Sequence, residues 1–505
     1  MNDHSKQTSA LLLTAAIAGM IPTGAAIGGP IGDFGMTVEK ILRAKSRKFF
    51  GVAKPLNDSA PASGPVGYRT AAQNASDQVM LAKKLKAEYL TREAANKTDM
   101  MAFWPSDEDP DYVITCVEGG RELIGPDKYN PSVQRINLHT GAVATILRGM
   151  NGCDGIRRTP WGTILATEER SDGGAYEILF PQTINNETVN DRATGDVTDP
   201  ARIAKRPALP TMAWEGLTVL HNGVVIGGDE LRPGTDVLNA DGGAIFKFVP
   251  AALRTDDQPI DDLDDSPLLA GSVYAMTISC REISHSNFPQ YGQGCEIGQG
   301  AWVKVNAATA RSDADANGAT GYYRPEDLHR DPAYEGDGIR FCWTNTGREA
   351  AEHYGEVLCA IDHNPEASGE LTDNRTGLPY LAYDNDYATI TANRFVEGDA
   401  DFNSFDNLAF QPGTGNLYVI EDHPNGDIFA CLQDGADRDI KTDGCIKILS
   451  VKDTSAEPTG FMFFNDGKSA ILSIQHSDDS NMPEVDDYRT DDVLIVEGFK
   501  VKSGK

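Results

Sequence analysis

Six hydrophobic segments of the chain each open on a residue that can ligate a cation: Asp99, Cys153, Glu215, Glu326, Asp406 and Glu457. Carboxylate oxygens suit hard ions such as calcium and ferric iron, and a thiolate among them points toward a transition metal. The second segment also closes on Glu168-Glu169, two further candidate metal ligands. Arg324 stands two residues before Glu326, where a guanidinium could grip two phosphate oxygens at once. Each residue has an ordinary alternative: acids before strands are often turn residues, a cysteine is often a small buried hydrophobe, and an arginine often pairs only with a neighbouring acid. Glutamate is a poor turn former, and three of the six opening residues are glutamates, which favours ligands. If the six converge, they concentrate negative charge that only cations could neutralise.

Other motifs carry less. Asp58-Ser59-Ala60 has the look of a phosphatase nucleophile triplet, but it lies in a Pro/Ser/Gly-rich stretch ahead of the segments, and the nine histidines show no zinc-ligand spacing. Asp313-Ala314-Asp315-Ala316-Asn317-Gly318 matches the first half of a calcium loop, yet the twelfth position is Arg324 where a helix-loop-helix EF-hand needs Glu; a one-sided calcium loop and a polar insertion remain, and the polar insertion is the simpler expectation. The chain has no Gly-x-Ser-x-Gly elbow and no complete Gly-x-x-x-x-Gly-Lys-Ser/Thr phosphate loop, since Met462 stands where the first glycine ahead of Gly467-Lys468-Ser469 would be.

The elements that would position these residues form a weak repeat. Each unit opens on its acid or cysteine, runs through a hydrophobic strand, turns, and ends in a second strand that usually closes on polar or acidic residues. The clearest copy is Asp406-Asn407-Leu408-Ala409-Phe410, a Pro412-Gly413 turn, and Asn416 to Asp422. Others close at Glu118, Glu168-Glu169, Asp229-Glu230 and Gln475-His476. Six such units with long insertions predict an all-β fold, a six-bladed β-propeller whose blade openings meet at a central channel.

The chain has 505 residues, 75 acidic against 45 basic, and a net charge of -30, so sequence-independent binding to nucleic acid or to an anionic membrane is not expected. Residues 1–30 have the grammar of an export signal, with an apolar run around Leu11 to Ala18. That predicts a periplasmic or secreted protein with no membrane span in the mature chain. Eight cysteines allow disulfides, with Cys280/Cys295 and Cys431/Cys445 as locally spaced candidates. Residues 31–98 read as an N-terminal extension, partly helical in character, with helical composition over 82–95, and residues 99–500 as the propeller.

These segments resemble the PhoX-type alkaline phosphatase family, in order, across about residues 86 to 500. The resemblance rests on Cys153-Asp154-Gly155 with Thr159-Pro160-Trp161-Gly162-Thr163 and Glu168-Glu169, on Thr98 to Pro105, Trp214-Glu215-Gly216, Gly243 to Pro250, Arg324-Pro325-Glu326, Asp406 to Phe410, and Glu457-Pro458-Thr459-Gly460. It implies a monomeric propeller that hydrolyses phosphomonoesters, and some diesters, at an axial cluster of two ferric ions and several calcium ions. Small phosphorylated organic molecules would be its substrates. By motif, Cys153 would ligate iron; Glu215, Glu326 and Asp406 would ligate iron or calcium; Glu168 or Glu169 would complete the calcium shell; and Arg324 would hold the substrate phosphate. Asp99 and Glu457 rest on the repeat instead. The sequence departs from the family where it reads Asn-Gly-Cys-Asp-Gly in place of Asn-Cys-Ala-Gly-Gly, where Asp327 rather than Gly follows Arg-Pro-Glu, and where a twin-arginine signal is missing. Two alternatives stand beside this reading: a calcium-dependent propeller lactonase or esterase, which would have no need of Cys153, and a non-catalytic binding propeller stabilised by calcium.

Overall fold

The computed structural model describes residues 34–64, 67–233, 242–256, 258–278, 296–366, 389–433 and 444–501. The export-like segment 1–30, and Cys280 with Cys295, lie outside the described residues. Six short strands carry the predicted openings: β1 Thr98–Trp104, β2 Cys153–Arg158, β3 Trp214–Val219, β4 Pro325–Arg330, β5 Phe405–Phe410 and β6 Glu457–Phe463. Each pairs antiparallel with the next strand of its unit, in order Tyr112–Val117, Thr163–Glu168, Val225–Asp229, Ile339–Asn345, Leu417–Glu421 and Ser469–Gln475. The tight connections use left-handed glycines at Gly162 (φ 78°) and Gly467 (φ 63°), conformations that a side chain would strain.

The six strands form a ring: β1 packs on β2, β2 on β3, β3 on β4, β4 on β5, β5 on β6, and β6 on β1. The protein is therefore a β-propeller-like assembly with the strand openings around one axis. Its sheets are not six separate blades. β3 and β4 lie at opposite edges of one nine-stranded sheet, because Gly298–Val305 pairs with both Gly271–Ile278 and Ile390–Glu397. Apolar cores fill the spaces between neighbouring sheets. Ile114, Ile156, Ile164 and Ile178 meet between the first two, and Tyr418, Phe461, Phe463 and Phe499 between the last two. Each side chain so buried contributes about 1.5–3 kcal/mol.

The N-terminal extension is built into the propeller. Lys86–Ala95 forms the outer strand of the last sheet against Thr490–Glu497, and Val79–Leu81 extends the sheet before it. This corrects the helical expectation for residues 82–95 and moves the propeller's start ahead of 99. The charged composition suits an outer strand open to solvent on one face, and the ladder partner decides the conformation. The helical expectation holds further upstream, at Phe34–Phe49.

Among the described residues three disulfides are present: Cys116–Cys153, Cys342–Cys359 and Cys431–Cys445. The last was expected from spacing, and both it and Cys342–Cys359 join residues that face each other directly in their ladders. Three disulfides fit an oxidising compartment. Among the described residues, no helix is long and apolar enough to cross a membrane.

Candidate metal centre

Every one of the six inner hairpins breaks register just after it begins. Thr98 pairs with Val117 but Met101 with Thr115, so three residues of β1 oppose two of its partner. The same one-residue excess follows Cys153, Trp214, Pro325, Phe405 and Thr459. These are β-bulges, which re-aim side chains at the rim of a barrel or channel. The first residue after the break is Asp99, Asp154, Glu215, Glu326 and Asp406 in the first five hairpins, and Gly460 in the sixth.

The second bulge residue joins neighbouring inner strands. At Gly155 and Gly216 a Cβ would lie 1.8 Å from the Glu215 carbonyl oxygen and from the Leu328 nitrogen, so only glycine permits the approach. Asn407 Oδ1 accepts from the Gly460 N–H at 2.6 Å and from the Thr459 hydroxyl at 2.7 Å. Asp327 accepts from the Leu408 N–H at 3.1 Å and pairs with Arg157 at 2.8 Å and His329 at 2.9 Å. Burial opposes its ionisation, but His329 and Arg157 outweigh that and hold Asp327 at about 2. Asp327 is thus a strut between strands.

The first bulge residues converge. Oxygens of Asp99, Glu118 and Asp154 lie within 4.8 Å of one another, and so do oxygens of Asp154, Glu169 and Glu215. Burial, then like charge from neighbouring carboxylates, pushes Asp99, Asp154, Glu169, Glu215 and Asp406 well above the ordinary carboxylate range. Asp154 Oδ1 is buried and has no hydrogen-bond partner among the described residues. A buried acceptor without a donor, amid mutually repelling acids, is what an oxygen-coordinated cation would resolve. The donor set fits hard cations.

Arg324 bridges the acids at one side. Its guanidinium meets Glu230 at 2.5 Å, Glu326 at 3.1 Å and Asp422 at 3.4 Å. Its backbone is left-handed (φ 58°), held by its N–H donating to Leu231 O and by Thr346 N–H donating to its own carbonyl. Burial, partly offset by Arg324, raises Glu326 to about 7, and the Thr346 hydroxyl donates to it. Gln475 donates to Asp99 at 2.8 Å and to Glu118 at 3.2 Å. Burial raises Glu457 to about 7, and His476, held at about 9 by Glu457 in spite of its own burial, sits 2.8 Å away.

Of the residues expected from sequence, Asp99, Glu169, Glu215, Arg324, Glu326, Asp406 and Glu457 are brought together. Two are not. Cys153 is bonded to Cys116, so its sulfur is no thiolate ligand, and the bulge turns Asp154 toward the other acids instead. Glu168 is fully used elsewhere: it accepts from Arg192 at 2.6 and 3.0 Å, from the Asn151 N–H at 2.9 Å and from the Gly174 N–H at 3.1 Å. Glu168→Gln is expected to cost about 2 kcal/mol of stability, because it removes the buried partner of Arg192 and leaves that guanidinium only the exposed Asp172, at 3.0 Å, while leaving bound cation unchanged. Denaturant unfolding and elemental analysis of the variant check both halves.

Asp154, Glu118, Glu230 and Asp422 were not expected. Glu118, Glu230 and Asp422 follow the ends of second strands, the acidic closures of the repeat, so the signal was in the sequence. The Thr159 to Thr163 motif proves structural: Trp161 Nε1 and the Thr163 hydroxyl each donate to buried Glu177 at 2.7 Å. Ser59 of the nucleophile-like triplet donates to Asp427 at 2.6 Å and accepts from Lys447 at 2.6 Å, in the outer part of the fifth unit's sheet. The calcium-loop-like residues lie in the helix Ala310–Asn317 and its glycine cap, as a polar insertion would.

The family model described as Alkaline phosphatase PhoX matches residues 233–478, which include Arg324, Glu326, Asp406 and Glu457. Among solved structures, Pseudomonas fluorescens PhoX in complex with vanadate, a transition state analogue, is similar with a TM-score of 0.54 at 15% identity, covering 86% of this chain and 98% of that one. A gluconolactonase from Xanthomonas campestris reaches a TM-score of 0.37 at 12% identity, covering 89% and 99%, too distant to carry an argument. No curated protein matches the chain.

Proposed function

We propose, on the premise that this chain is a phosphatase of the PhoX alkaline phosphatase type, that its bulge acids hold hard cations and that phosphomonoesters are hydrolysed beside them. The observation that carries this is the meeting of five first-bulge acids with one guanidinium, Arg324, at the same end of the ring. Asp99, Glu118, Asp154, Glu169, Glu215, Glu326 and Asp406 would hold the cations. Bound there, the cations would supply charge neutralisation at the phosphoryl oxygens and activation of water.

The chain's own residues do the rest. Arg324 presents a planar fork to two phosphoryl oxygens, and its pairing with Glu230, Glu326 and Asp422 fixes that fork before substrate arrives. Its charge persists under all working conditions, since those acids hold its proton above the ordinary arginine value against the effect of burial. The Thr346 hydroxyl and Gln475 amide orient Glu326 and Asp99. No protein nucleophile is required, consistent with Ser59 being engaged elsewhere.

The disulfide at Cys153 removes the thiolate that would have favoured iron over calcium. All-oxygen ligation also suits a calcium-dependent esterase, so the test includes a lactone substrate. Arg324→Ala is expected to lower kcat/KM for p-nitrophenyl phosphate by about 10²- to 10³-fold, with Arg324→Lys recovering part of it. Lactone hydrolysis without phosphate release by the native protein would sink the proposal. The three disulfides and the signal-like start support a periplasmic or secreted location.

A further inference from the structure

Beside the acid layer lies a cavity of about 410 Å³ lined by Arg232, Tyr323, Arg324, Arg348, Ser404 and Asp422, among others. Its charge runs against that of the molecule. The chain carries -30 overall, yet three arginines and one carboxylate line this cavity. Arg324 is committed to Glu230, Glu326 and Asp422. Arg232 and Arg348 are exposed and make no ion pair among the described residues.

A dianionic substrate approaching so acidic a protein is repelled at long range, and a basic rim with no ion pair among the described residues offsets this locally. The arrangement also separates two tasks. Arg324, held by the acids, suits the phosphoryl group that is transferred, and Arg232 and Arg348 remain for whatever the leaving group carries. Guanidiniums select anionic oxygens over hydroxyls. A volume of about 410 Å³ admits a sugar-sized leaving group.

Resting on the phosphatase reading, we infer that Arg232 and Arg348 make this site selective for esters whose leaving group bears a second phosphate, such as sugar bisphosphates. Arg324 takes the phosphoryl group that leaves, and the two rim arginines take the one that stays.

The test compares glucose 1,6-bisphosphate with glucose 6-phosphate, a pair that differs by one phosphate, in the native protein and in Arg232→Ala/Arg348→Ala. The native protein is expected to favour the bisphosphate. The double substitution should lower the ratio of the two kcat/KM values roughly ten-fold or more. The native preference should shrink as salt rises, because the rim is exposed. Both positions are on the surface, and a thermal melt verifies that the variant is folded. An unchanged ratio in a folded variant overturns the inference while leaving the phosphatase reading intact. Release of phosphate from neither sugar by the native protein overturns both.

Discussion

Asp154→Asn is expected to lower kcat/KM for a phosphomonoester by about 10²- to 10³-fold, and at the same time to raise the stability of the cation-free protein. Asp154 belongs to both three-carboxylate groups, so its loss removes a ligand shared between them. Its Oδ1 is buried without a donor among the described residues, an arrangement that is costly unless a cation is there. Without cations, removing one carboxylate from beside Asp99, Glu118 and Glu169 relieves repulsion. The two effects have opposite signs, and only a cation-holding residue gives both. Cys153→Ser, one position earlier, should behave differently. It opens the Cys116–Cys153 disulfide and costs about 2–5 kcal/mol, with cation content retained. Steady-state kinetics, denaturant unfolding with and without chelator, and elemental analysis of the two variants separate these outcomes. Loss of bound cation in Cys153→Ser with none in Asp154→Asn would restore the cysteine as the ligand.

Removal of cations should also reverse how stability depends on pH. In the cation-free protein Glu326 and Glu457 are each raised to about 7 from an ordinary value near 4.5, chiefly by burial. The folded state then keeps protons that the unfolded state releases. Stability is therefore intact below about pH 4.5, declines as pH rises through the interval, and reaches its floor above about pH 7. With cations bound the carboxylates are ionised ligands, and acid displaces the metal, so stability is lost in the opposite direction. Melting temperature from pH 5 to 8, with calcium and with chelator, is expected to fall with pH in the stripped protein and to rise in the loaded one. Parallel curves would mean that cations do not bind these acids.

The hairpin repeat was legible because it is local: an acid, an alternating apolar run, a glycine turn and a second run lie within a few tens of residues. Asp99, Glu215, Glu326 and Asp406 were readable for that reason. Cys153 stands at the opening of its unit and has distinctive ligand chemistry, which draws the sequence reading past Asp154, yet one inserted residue turns a strand's side chains to the other face, and nothing in Cys-Asp-Gly announces the bulge. The strand closures show the same parity. Of Glu168-Glu169, Asp229-Glu230 and Glu421-Asp422, the second acid belongs to the central group in each case. The first is held outside it: Glu168 by Arg192, Asp229 by Arg311 at 2.5 Å, and Glu421 by the Asn403 and Asp427 N–H groups at 2.9 Å. Adjacent residues of a strand point to opposite sides, so an acidic pair cannot be resolved without the register. The sheet edges were out of reach for another reason. The joining of β3 and β4 through Gly298–Val305, and the return of Lys86–Ala95 to the C-terminal strand, depend on pairings between distant parts of the chain that composition does not encode.

The central claim is that the bulge acids hold cations on which phosphate-ester hydrolysis depends. Its most direct test is elemental analysis of the purified native protein, paired with a phosphate-release assay before chelation, after it, and after cations are restored. The expected result is bound hard cation and phosphate release that disappears and returns in step with it. A protein that releases phosphate equally well when stripped, or that binds no cation while its buried acids remain, would contradict the account.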